Sequence, residues 1–91
     1  MRRTERTSPL LHRWSWRADE LEITDHARDQ MAERNITARE VAEALNTCDE
    51  HRPGRQKTTI VHVGWAGSRR IAVVTDRIAR PPRVVSSYPR P

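Results

Sequence analysis

Apolar residues in this chain change their period near residue 51. Before it they recur every three or four positions, and after it they alternate. In "TDHARDQMAERN", Ala27, Met31 and Arg34 share one side at about 100° per residue, and His26 lies at its border. Thr24 or Asp25 is a suitable N-cap, the helix runs to about Arg34, and Asn35 suits a left-handed stop. Thr37 then places Glu40 at the capping-box position, with Ile36 and Val41 as the flanking hydrophobic staple. The second helix extends to about Thr47, and Val41, Ala44, Leu45 and Cys48 form a single buried stripe. Two helices with so short a join predict a helical hairpin.

"HRPGR" (51–55) breaks the helical pattern with Pro53 and Gly54. "TTIVHVGW" then sets Val61, Val63 and Trp65 on one strand face and Ile60 and His62 on the other. "AGS" (66–68) is a hairpin turn, "RRIAVVTD" the returning strand, "RIARPPR" a loop stiffened by two prolines, and "VVSSY" the last strand. "LEIT" (21–24) could add a fourth strand ahead of the helices. The expected fold is α+β: an N-terminal helical hairpin packed on a three- to four-stranded antiparallel sheet. Residues 1–18 show no period, so they are expected to be a flexible tail, or a clasp that packs through Trp14 and Trp16. Residues 19–91 form the single domain.

Composition narrows this further. Only 35% of residues are hydrophobic and none is Phe, so the core must be small and a dimer or partner would help it. The lone Cys48 cannot form an intramolecular disulfide and suits a reducing compartment. No stretch approaches the roughly 20 apolar residues of a membrane span, and Leu10-Leu11 is too short for a leader's apolar core. A cytoplasmic protein without membrane contact is expected. The net charge of +5 conceals a division: residues 1–17 carry +4, 18–50 carry −7 and 51–91 carry +8. Such a split suggests two faces with different partners, the basic one suited to RNA. An Arg-to-Lys ratio of sixteen to one is equally the mark of a biased genome composition.

Several chemistries lack their residues. There is no GxGxxG, P-loop or GxSxG motif. One Cys with scattered His12, His26, His51 and His62 does not suggest a zinc site, and Asp76 alone in the basic half cannot build a two-metal site. No metal or cofactor is therefore expected. What remains is His, Arg and hydroxyl groups. That set can cleave RNA, because the ribose 2′-OH supplies the nucleophile, histidine the proton transfer and arginine the phosphate contacts. The candidates are His26 as general acid or base, Arg34 and Arg70 on the phosphate, and Ser86 and Tyr88 positioning substrate. Each also has a purely structural reading: His26 bonding the backbone at the helix start, Arg34 pairing with an acid, Tyr88 in the core. Cys48, on the helical stripe, reads as buried and inert.

The stretch "TDHARDQMAERNITAREVAEAL", with the later "IAVVTD" and "RVVSSYP", resembles domain-of-unknown-function family 4258. Thr24, His26, Ala27, Met31, Arg34, Ile36 and Val41 match its pattern. The family often has Arg before the Met, where this chain has Gln30. Its members are similar to the BrnT-like and RelE/ParE-like toxin fold. The resemblance implies a helical hairpin on a twisted antiparallel sheet and kinship with RNA-cleaving toxins. The expected function is a toxin-like RNA-binding protein, with metal-independent endoribonuclease activity of toxin–antitoxin type as its chemistry and a cognate antitoxin as protein partner. The alternative is a non-catalytic interaction module, an inhibitor or adaptor that uses oppositely charged faces.

Overall fold

The computed structural model describes residues 15–90. Most of the N-terminal tail, Trp14 and His12 included, lies outside them. After a 3₁₀ turn at Ala18–Glu20 the elements are β1 (Glu22–Ile23), α1 (Asp25–Glu33), α2 (Ala38–Asn46), β2 (Glu50–Pro53), β3 (Thr59–Ala66), β4 (Arg69–Asp76) and β5 (Arg83–Pro89). The strands form one sheet in the order β1-β5-β4-β3-β2.

The local signals act as the side-chain chemistry requires. Thr24 caps α1 by accepting from the Ala27 N–H. Thr37 and Glu40 close a reciprocal capping box on α2. Between the helices Asn35 takes φ 57°, the left-handed conformation its short polar side chain tolerates. Gly67 turns β3 into β4 at φ 64°.

The sheet is larger than the expected one, and it is mixed. "LEIT" contributes β1, which pairs in parallel with β5 through Glu22 opposite Arg83 and Ile23 opposite Val84. The segment read only as a helix breaker contributes the edge strand β2, antiparallel to β3. Pro53 is no obstacle, because it ends that strand at the margin of the sheet. The helices pack on the sheet more than on each other, α1 along β5 and α2 across β3 and β4. The expected hairpin on an antiparallel sheet thus becomes two helices side by side on a five-stranded one.

The core lies between the helices and one sheet face. Ala27, Met31, Val41 and Leu45 meet Ile71, Val73 and Val84, and Trp16 packs against the same cluster. Trp16 also exchanges two 2.8 Å hydrogen bonds with the Asn46 side chain. Close packing of α2 on β3 requires Gly64, where a Cβ would lie 1.9 Å from the Ala44 carbonyl oxygen. The alternation expected of β3 is present: His62, Gly64 and Ala66 are buried on the helix side, while Val63 is buried on the other face and Trp65 stays 40% exposed.

Side chains from the helical half also reach the sheet backbone. The Thr47 hydroxyl accepts from the Trp65 N–H at 2.9 Å, and its proton is shared between the Trp65 and Glu43 carbonyls, each also at 2.9 Å. At the other side of the sheet, Gln30 Oε1 accepts from the Ser87 N–H at 3.3 Å, and Arg34 donates to the Ser87 carbonyl at 3.2 Å.

Candidate functional site

The strands give the sheet two ends. At the turn end lie Gly67, the C-terminus of α1 and the starts of α2 and β4. At the loop end lie the β2–β3 loop (54–58), the β4–β5 loop (77–82) and the N-terminus of α1, which is tied to β5 by the Thr24 N–H to Val84 carbonyl bond.

The five sequence candidates divide between these ends. His26, in the first turn of α1 at the loop end, is exposed, and its ring makes no hydrogen bond or ion pair among the described residues. Gln30 and Arg34 follow it at one-turn intervals on the same strip of helix, so Arg34 lies about 12 Å further along the axis. Gln30 Oε1 accepts a 2.6 Å bond from the Ser86 hydroxyl. Ser86 is therefore brought to the α1–β5 seam, and its described side-chain partner is Gln30. A carbonyl acceptor is what the Ser86 and Ser87 donors need at position 30, and an arginine could not supply one. Arg34, an exposed residue, donates one guanidinium hydrogen bond to the Ser87 carbonyl.

Arg70 is held at the turn end. It contacts Asp49 at 2.7 and 3.3 Å and Glu50 at 3.4 Å, and it lies 4.9 Å from the Trp65 ring centroid. The Arg70 hydrogen bond pulls the Asp49 carboxyl below its usual range. Tyr88, half-buried, sits opposite Ala72 near the same end. His26 and Arg70 thus stand at opposite ends of the sheet.

Other basic residues of the second half are paired as well. Arg69 meets Glu40, Arg83 meets Asp76 and Glu22, and Arg52 and Arg90 meet Glu50. The acidic and basic halves of the sequence therefore interleave in space. The cations left without an ion-pair partner among the described residues include Arg55, Lys57 and Arg77, all on the two loops at the loop end. The Arg77 N–H bonds the Thr58 carbonyl at 2.8 Å, which joins the loops. Between them lies a surface pocket of about 420 Å³ lined by Lys57, Thr58, Asp76, Arg77, Ile78 and Ala79. Ile78 is 91% exposed. These loop cations were not among the sequence candidates. Their signal was their position between strands, where no helical or strand face claims them.

A second cluster corrects the expectation that the histidines are scattered. Cys48, His51 and His62 bring ligand-type atoms within 4.8 Å of one another. Cys48 Sγ lies 3.4 Å from His51 Nε2, and the two imidazoles meet edge-on with centroids 5.0 Å apart. His51 is directly opposite His62 in the β2–β3 ladder, a pairing hidden while residues 51–55 read as a break. His62 Nε2 is 2.8 Å from the Thr75 hydroxyl. Burial, helped by the charges of His51 and Arg80, pushes His62 down to about 3, and burial pushes the Cys48 thiol up to about 11.

Among the described residues no helix is long and apolar enough to cross a membrane. No curated protein and no solved structure matches the chain. Residues 23–89, from the end of β1 to the end of β5, match the family described as Domain of unknown function (DUF4258), and the chain belongs to that family.

Proposed function

We propose that the protein is a toxin-like RNA-binding protein whose nucleic-acid face is the loop end of the sheet. The observation that carries this reading is that the exposed His26 shares that end with Arg55, Lys57 and Arg77, cations without an ion-pair partner among the described residues. Phosphate binding draws on cations free to exchange counterions for a polyanion. Arg70 is committed to carboxylates, and Arg34 lies with it towards the turn end, so the phosphate-contact role moves from them to the loops.

The chemistry that suits this face is metal-independent RNA cleavage. His26 takes the proton of a ribose 2′-OH, whose oxygen attacks the adjacent phosphorus. The bond to the 5′ oxygen breaks, and the proton passes to that oxygen. The products are a 2′,3′-cyclic phosphate and a 5′-OH. The loop cations stabilise the extra charge on the phosphoryl oxygens.

Fluorescence anisotropy with a single-stranded RNA, over a series of salt concentrations, tests the binding. Lys57→Glu with Arg77→Glu should weaken it at least about tenfold and reduce the salt slope by about 2. Cleavage is followed on a gel with EDTA present. His26→Ala should abolish cleavage and leave binding in place. Absence of RNA binding by the wild type at low salt overturns the reading.

Ile78 favours a second reading, a protein-interaction module of inhibitor or adaptor type, because an apolar side chain so exposed beside a pocket suits a protein partner. Under it a co-purified protein would be lost on Ile78→Asp, and RNA binding would be absent.

A further inference from the structure

We propose that Cys48, His51 and His62 bind a single thiophilic metal ion of the zinc class, which ties the α2–β2 connection to strand β3. The donor set comes from three places. His51 and His62 are cross-strand neighbours, and Cys48 enters from the link after α2, where its backbone lies close to Gly64. One thiolate and two imidazoles are the donors that zinc takes, and a carboxylate-preferring ion such as magnesium would not favour them.

The spacing also suits such an ion. With metal–sulfur and metal–nitrogen bonds of about 2.3 and 2.0–2.1 Å, two tetrahedral ligands stand about 3.5 Å apart. Cys48 Sγ and His51 Nε2 are at 3.4 Å, so they need almost no movement. The widest spread of the three atoms, 4.8 Å, closes by a modest shift of one ring. Thr75 supplies the outer support that ligating histidines use: it engages His62 Nε2, which assigns the ligand role to Nδ1. His51, only half-buried, is the member through which an ion reaches the others. Burial keeps His62 in the neutral form that ligates, whereas the Cys48 thiol must lose its proton to the medium as the ion binds.

This site lies apart from His26 and is independent of the RNA reading. The test uses the full chain stripped with a chelator, then titrated with zinc chloride by calorimetry and with cobalt(II) chloride by absorption. Expected are one equivalent of zinc, a raised thermal midpoint, and a thiolate-to-cobalt charge-transfer band. Cys48→Ser should remove the band. His51→Ala, at a partly exposed position chosen to preserve folding, should weaken zinc binding at least about 100-fold, and Thr75→Val about 10–100-fold. His26→Ala should bind zinc as the wild type does. Failure of cobalt to give a thiolate band overturns the proposal. So does zinc binding that survives both Cys48→Ser and His51→Ala, which would place the ion elsewhere.

Discussion

His62 shows how one buried side chain sets a pH response. It is 1% exposed, and burial is the main reason it stays neutral in the folded state down to about pH 3. In the unfolded chain it takes up a proton near pH 6.5. Between those values the unfolded state binds more protons, so stability falls as pH drops through the window. One proton contributes about 1.4 kcal/mol per pH unit. His51, also pushed down by burial, acts in the same direction, whereas the lowered Asp49 carboxyl matters only at more acid pH. Urea unfolding of the chelator-stripped chain at pH 7, 6 and 5 should show this loss, and His62→Gln should flatten it. An unchanged slope in that variant would assign the acid sensitivity to other groups.

Elements were legible where their determinants are local. The capping box and staple from Ile36 to Val41 needed only neighbouring residues, and α2 begins where they place it. Thr37→Ala removes the hydroxyl that accepts from the Glu40 N–H and should cost about 1 kcal/mol, read as a lowered urea midpoint with an unchanged slope. β2 was not legible, because residues 50–53 carry no alternation and a proline. They become a strand by pairing with β3, a relation between distant segments. The parallel placement of β1 beside β5 is likewise a product of chain path. The same division runs through the candidate site. His26 was singled out as a candidate by its place on a helix, and it does lie exposed in the first turn of α1. The commitments of Arg34 and Arg70 depend on Ser87 and Asp49, which no local pattern connects to them. The convergence of Cys48 with His51 and His62 depends on a strand that was not expected.

At the scale of the molecule, the charge division along the chain does not become a division in space. Acids of the first half meet arginines of the second in Glu22–Arg83, Glu40–Arg69 and Asp49–Arg70. These pairs are solvent-exposed to varying degrees, so each adds little stability. Their larger effect is subtraction: with the Glu50 contacts of Arg52 and Arg90 they engage five of the nine cations of residues 51–91, and Arg55, Lys57 and Arg77 on the two loops are left without an ion-pair partner among the described residues.

The hydrogen bonds that Gln30, Arg34 and Thr47 send to the strands have a consequence for how this protein behaves in a crowd of its own copies. β5 outruns β1, and β3 outruns β2, so Ser87 and Trp65 lie beyond the reach of the outer strands. Left open, such backbone groups would accept a strand from another chain. Gln30 and Arg34 hold both groups of Ser87, and the Thr47 hydroxyl holds the Trp65 N–H and, shared with Glu43, the Trp65 carbonyl. The helices thus serve as guards against intermolecular pairing as well as a lid on the core. Gln30→Leu with Thr47→Val should fold yet self-associate. Light scattering at rising concentration, with thioflavin fluorescence, should register the double variant as aggregating well before the wild type.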